Sequence, residues 1–268
     1  MIDIWDIETF DDELLAALEQ NRELILSFIE TARETELERL ASPDDAQLRL
    51  RRNLYYDRYG VFLRELSAIL ESRTIRGWHY TRLTDIEVDR LRSVGIVLST
   101  MATMRYRLDS LVKAAELTGD AAEELISASP LQNKAQLDGR VDRFWLTARP
   151  IPIDDGVVNL LLQHWGGEVV YFWLEDYPRL DALVQNIGKG RVIEIAAPIA
   201  ATKHASRVAE AVTATFSNVD WFMRDFENVD VCLGRGIPAD AVVAVHTDGD
   251  ATFSEIGTTY PVTIRRCS

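Results

Sequence analysis

Cysteine is nearly absent from this chain. Only Cys232 and Cys267 occur in 268 residues, which excludes a disulfide framework and fits a reducing compartment. No run of about 18 apolar residues exists, so no membrane-spanning helix is expected. The N-terminus is acidic and lacks the basic-then-apolar layout of a secretory leader. The expectation is a cytoplasmic protein with no membrane attachment. Positive charge is also scarce: 29 Lys and Arg stand against 43 Asp and Glu, a net charge of −14. That excludes general non-specific binding to long nucleic acid, which needs a dense cationic surface. His79, His164, His204 and His246 have no spacing suited to zinc, and no metal is expected. There is no Gly-x-Gly-x-x-Gly, no P-loop and no Gly-x-Ser-x-Gly elbow, which argues against a Rossmann oxidoreductase, a P-loop NTPase and an α/β-hydrolase. Internal repeats and low-complexity segments are missing too.

What is present is ample apolar material, 47% of the chain, and an uneven charge. Residues 1–46 hold 14 acidic and 3 basic residues, and residues 47–113 hold 13 basic and 7 acidic ones. The local sums are −11 and +6. Either a solvated acidic helix lies on a mixed surface, or the acidic segment covers a basic face that meets an anionic ligand or partner. Residues 11–40 read as one amphipathic helix, with Leu14, Leu15, Leu18, Leu24, Ile25, Phe28 and Ile29 near helical spacing. Ser42-Pro43-Asp44-Asp45 reads as the start of a second helix reaching about Ser72. Residues 1–73 are therefore expected to form an acidic helical hairpin, a surface for a protein partner, with a separate domain over 74–268.

That second part alternates strand-like and helix-like segments. Thr84 with Glu87 three residues on makes a capping box. The predicted helix runs through Ile86, Val88, Leu91 and Val94 and stops at Gly95; Ile96–Thr100 then reads as a strand. Helices are predicted from Ser110 to Leu117, from Asp120 to Ser127, after Asp154 or Asp155, from about Pro178 to Ile187, and over 203–216. Residues 128–153, punctuated by Pro130, Pro150 and Pro152, give no clear element. Glu168–Leu174 reads as a strand, β-branched and aromatic throughout. Arg191–Ala197, Val229–Leu233 and Ala241–His246 are further strands, and Phe253–Arg266 adds a last one. Short strands mixed with short helices point to an α+β fold. Trp165, Trp173 and Trp221 read as core residues.

The segment Gly77-Trp78-His79-Tyr80-Thr81-Arg82-Leu83-Thr84 places a His-x-Thr triplet at the end of a strand, before a capped helix and a Gly-Ile start. This resembles the opening of the ADP-ribosyltransferase fold in its His-Tyr-Glu branch, which includes poly(ADP-ribose) polymerases, tRNA 2′-phosphotransferases and DNA-modifying bacterial toxins. The resemblance covers residues 77 to about 247 in order through three short motifs. It implies a split mixed β-sheet with flanking helices, preceded here by the helical hairpin. It further implies an enzyme that transfers ADP-ribose from NAD to a macromolecular acceptor, protein or nucleic acid, in the manner of a bacterial toxin or phage-defence effector.

Breaking the nicotinamide–ribose bond creates an oxocarbenium-like transition state. It calls for anchors on NAD, a surface for the nicotinamide ring and a carboxylate near the developing charge. By resemblance, His79 and Thr81 bind NAD, Tyr171 stacks on nicotinamide and Asp230 is the catalytic acid, with His79 and Tyr171 also counted in the catalytic set. The family has Glu where this chain has Asp230, whose reach is shorter by over 1 Å, a loss that matters for a positioned carboxylate. Glu227 and Glu255 are the alternative acids. Arg82 is a candidate for the pyrophosphate, since its fork suits phosphate oxygens, and Arg105 and Arg107 are candidates for substrate contacts. Two other readings stand beside this one. One is an NAD glycohydrolase, with water as acceptor. The other is a non-catalytic interaction protein working through its helical arm.

Overall fold

The computed structural model describes residues 1–42, 51–226 and 229–258. Its N-terminal part packs on the rest through a shared core. Ile2 bridges Ile75, and the Ile2 N–H donates to the Thr74 carbonyl at 2.8 Å. Helices α1 (Asp12–Gln20), α2 (Arg22–Ala41) and α3 (Tyr56–Leu70) follow. The single helix expected over 11–40 is broken at Asn21, whose φ of −109° and ψ of 11° leave the helical region and whose side chain donates to the Ala17 carbonyl. Asn competes for helix carbonyls in this way. Ser42 ends α2 instead of opening a helix, and the rest of that predicted start, from Pro43, lies outside the described residues. The next helix begins only at Tyr56, after Asn53 has spent its side chain on the Phe28 carbonyl and the Tyr55 N–H.

Strand β1 (Thr74–Leu83) leads into helix α4 (Asp85–Val94) through the predicted capping box, with both reciprocal Thr84–Glu87 bonds formed. Gly95 ends the helix at a φ of +91°, where an added Cβ would sit 2.2 Å from the Ile237 carbonyl oxygen; only glycine suits that position. Ile96 then makes one bridge to Ile237 in place of the predicted strand. Thr100 and Thr103 form a second capping box that starts helix α5 (Met101–Lys113), so the cap overrides the strand propensity of Ile96–Leu98. Helices α6 (Gly119–Ala128) and α7 (Leu137–Arg140) precede strand β2 (Phe144–Thr147), which falls in the segment that gave no clear element.

Asp155 caps α8 (Gly156–Gln163). The strand expected over 168–174 is instead the short helix α9 (Glu168–Tyr171) and a 3₁₀ turn at Leu174–Asp176. Gly166 and Gly167 both hold positive φ and turn the chain, and Val170 and Leu174, four residues apart, are the buried pair. Burial at that spacing selects a helical turn over local β propensity. Helix α10 (Pro178–Gln185), strand β3 (Lys189–Pro198), helices α11 (Ala205–Ser217) and α12 (Asp220–Arg224), and strands β4 (Asp230–Leu233) and β5 (Val242–Thr247) complete the sheet. The final predicted strand begins as helix α13 (Ala251–Ser254), and its part from Thr259 on lies outside the described residues.

The fold is α+β. The described strands form one five-stranded sheet in the order β4-β2-β1-β3-β5, and every pairing in it is antiparallel where a mixed sheet was expected. One face, carrying Ile75, Leu146, Ile193, Ile195, Ala197 and Val231, joins the N-terminal helices in the largest core cluster. On the other face Trp78, Tyr80 and Val192 pack with Val158 and Leu162 of α8 and Phe253 of α13. A second helical cluster gathers α5, α6, α9 and α10 around Trp165.

The charge imbalance of the sequence closes on itself. Arg73 bonds Asp11 at 2.9 Å and Glu13 at 2.6 Å, Arg51 pairs with Glu38, and Arg76 lies 3.6 Å from Asp3. The acidic segment thus neutralises arginines of the basic one. Leu14, Leu18 and Ile25 are fully buried in the shared core, each contributing about 1.5–3 kcal/mol. Toward the end of α2, Leu37 and Leu40 stay exposed.

Candidate functional site

Strand β1 lies between β2 and β3, so both of its edges are paired, and its residues alternate between the two faces of the sheet. Ile75, Gly77, His79 and Thr81 look one way; Trp78, Tyr80 and Arg82 look the other.

His79 is the most constrained of the predicted site residues. Its Nδ1 lies 2.7 Å from the Trp145 carbonyl oxygen. A carbonyl can only accept, so Nδ1 carries the proton. The ring also packs at 4.1 Å from Phe144. Burial pushes the imidazole pKa down to about 4; the Trp145 hydrogen bond opposes this, and the nearby Arg107 charge adds to it. His79 is therefore neutral at pH 7, and its Nε2 is an acceptor. Nε2 makes no hydrogen bond to another described residue, and the residue as a whole is partly buried. A strand backbone thus holds a neutral imidazole whose free nitrogen can receive a hydroxyl proton, as a ribose would offer.

Beside it a buried polar network joins α4, α5 and the Trp165 segment. Glu87 accepts from Arg107 Nε at 2.6 Å, from Trp165 Nε1 at 2.9 Å and from the Thr84 N–H at 2.9 Å. Burial opposes the charge of Glu87, yet Arg107 and these donors hold its carboxyl below the usual range. Arg107 also lies over the Trp165 ring at 4.5 Å, and its Nη2 is enclosed without a partner. A cavity of about 60 Å³ opens on Thr84, Glu87 and Arg107, too small for a dinucleotide, since ligand pockets run to about 300–1,000 Å³. Sequence reasoning took Glu87 only as a cap; the capping box was the one signal of its position.

Thr81 is buried on the His79 side of β1. Arg82 is on the opposite side, where it donates to the Ile187 carbonyl at 2.7 Å and approaches that of Leu162 at 3.4 Å. Its guanidinium thus closes a backbone junction. Tyr171 stands on α9 and not on a strand. Its ring lies 5.1 Å from His164, it packs on the second helical cluster, and burial and Glu168 raise its pKa. Arg105 meets Glu123 at the surface.

Asp230 opens β4, an edge strand. Thr147 pairs with Trp78 on one side and with Asp230 on the other, so all three side chains share one face. That is the face His79 does not look into. Asp230 is solvent-exposed and neighbours His204: desolvation raises its carboxyl pKa, and His204 opposes the shift. His204 accepts from the Cys232 N–H and lies 5.5 Å from the Trp145 ring. Glu255 is exposed at the end of α13, and Glu227 is outside the described residues. The structure therefore places His79 and Thr81 on one face of β1, within reach of the Arg107 charge, and Asp230 on the other face, while Tyr171 packs on the helical cluster around Trp165. Among the described residues no group of three His, Cys, Asp or Glu could hold a metal ion.

No protein-family model matches this chain, and no curated protein or solved structure is significantly similar to it.

Proposed function

We propose that the chain binds NAD at the His79 end of the sheet and transfers its ADP-ribose unit to a macromolecular acceptor, in the manner of the His-Tyr-Glu ADP-ribosyltransferases. One observation carries the proposal. His79 is neutral, its Nδ1 is committed to the Trp145 carbonyl, and Nε2 is left as an acceptor for a ribose hydroxyl. Thr81 on the same face supports the orientation of β1 there, and the Thr84–Glu87 cap fixes the turn that follows.

A second reading rests on the sheet register. Because Asp230 shares a face with Trp78, the carboxylate needed next to the ribose is across the sheet from His79. NAD would then be bound and left intact.

Calorimetric titration with NAD and assay of released nicotinamide separate the two. Saturable binding lost in His79→Ala, with nicotinamide release and ADP-ribose recovered on a macromolecular acceptor, supports transfer. Binding without release supports the second reading. No heat at millimolar NAD sinks both and shifts attention to the helical arm, where Leu37 and Leu40 are exposed.

A further inference from the structure

Two cations share the face of His79 and Thr81 where β3 meets α4. In the β1–β3 register Thr81 pairs with Arg191 and Leu83 with Lys189, so Lys189 and Arg191 look the same way as His79. Arg191 is unusual for a charged residue, with a side chain only 6% exposed. It donates to Thr247 Oγ1 at 2.5 Å and to the Asp85 carboxylate, and its Nε is enclosed without a partner. A buried guanidinium that leaves one donor unused is costly. Its counter-ion is insecure, because the Asp85 side chain is 83% exposed and can turn into water. Asp85 is also the first residue of α4, so the guanidinium stands at a helix N-terminus, where backbone N–H groups and the helix dipole favour an anion. The carboxylate of Asp248 does not compete: Asp248 follows Thr247, the residue paired with Arg191, and alternation turns it to the other face, toward Arg82.

We propose that Arg191, Thr247 and the N-terminus of α4 form an anion subsite for a pyrophosphate group, with Asp85 as a built-in competitor that the ligand displaces. A pyrophosphate offers more charge than Asp85 and several oxygens, so it can use the idle Nε along with Nη2. Resting on the NAD reading above, the subsite takes the pyrophosphate of NAD while His79 takes a ribose. Arg191 is offset from His79 by two residues along the strand and one strand across. These backbone steps are about 6.8 Å and about 4.8 Å. In this proposal Arg191 meets the pyrophosphate, while Arg82 bonds the Ile187 carbonyl on the opposite face.

The test uses calorimetry on the full chain with inorganic pyrophosphate, ADP-ribose, NAD and adenosine, comparing the unaltered protein with Asp85→Asn, Arg191→Lys and His79→Ala. Asp85→Asn is expected to tighten pyrophosphate and ADP-ribose roughly three- to tenfold by removing the competing charge, and to leave adenosine unchanged. Arg191→Lys is expected to weaken both anions about tenfold, since an ammonium cannot replace the fork. If Arg191→Lys fails to fold, the gain in Asp85→Asn decides alone. Pyrophosphate affinity unchanged in Asp85→Asn, or no pyrophosphate binding by either protein, overturns the subsite. NAD binding that needs His79 but ignores Asp85 and Arg191 overturns the subsite and spares the NAD reading. Pyrophosphate binding that depends on Asp85 and Arg191, with no binding of NAD by any variant, supports the subsite and removes the NAD reading.

Discussion

Acid titration of His79 tests the feature on which the functional proposal stands. In the folded chain the imidazole pKa is down at about 4, against an ordinary value of 6.5. Between those values the unfolded chain binds a proton at this position and the folded chain does not. Stability supported by the neutral ring is therefore fully present above pH 6.5 and falls as pH drops toward 4. A shift of this size corresponds to about 3 kcal/mol, at 1.36 kcal/mol per unit. His79→Asn can keep a donor on the Trp145 carbonyl without titrating. Urea unfolding of the two proteins at about pH 7.5 and about pH 4.5 should show the unaltered chain losing about 2.5 kcal/mol more than the variant over that interval. The comparison cancels the carboxylates, which are common to both. Parallel stability curves, or a His79 Cε1 proton that titrates near pH 6.5 by NMR, would refute the depressed pKa and with it a neutral His79 below pH 6.5. The same shift predicts that NAD affinity stays flat from pH 8 to 5, where an ordinary histidine would already have gained its proton.

Two further outcomes follow from the surroundings of the site. Glu87→Ala strips Arg107 and Trp165 of their acceptor and should cost about 3–5 kcal/mol in urea unfolding, as for one partner removed from a buried pair; a loss below about 1 kcal/mol would show that water replaces the carboxylate freely. Asp230 is solvent-exposed at the start of β4, and desolvation by its neighbours still raises its carboxyl pKa, so its ionised form works weakly against folding at neutral pH. Asp230→Asn should therefore raise the melting temperature slightly at pH 7, and the gain should shrink as pH falls through the raised pKa; a lower melting temperature at pH 7 would mean that the nearby His204 outweighs the desolvation.

Elements set by local chemistry were legible in the sequence. Thr84 and Glu87 cap α4, Gly95 stops it, and Asp155 caps α8, each through bonds spanning a few residues. The misread elements are those decided by distant packing. Glu168–Leu174 has strand-forming residues throughout, but its shape follows from burying Val170 and Leu174 against helices far away in the chain. Residues 96–100 looked like a strand because Ile, Val and Leu are adjacent, while the hydroxyls of Thr100 and Thr103 carried the stronger instruction. Strand β2 is only four residues long. Its identity comes from pairing with β1 and β4, and no local window contains that information.

The candidate site divides along the same line. His79 could be singled out because the residues that follow it fix where its strand ends. Its protonation could not, since the carbonyl that sets it belongs to Trp145, 66 residues on. Asp230 stands out only by its place in the order of motifs, and order along the chain does not determine which face of a sheet a residue occupies. A shift of one residue in either of two pairings, β1 with β2 or β2 with β4, would exchange its face. The pairing of Thr147 with Trp78 and Asp230 places the carboxylate opposite to His79. Arg191 shows the converse. It has no motif and lies more than a hundred residues from Thr81, yet register puts the two on one face. Which side chains can act together on one face is thus selected by strand pairing. On the NAD reading proposed above, the carboxylate that the ribose needs would share a face with His79 and Arg191.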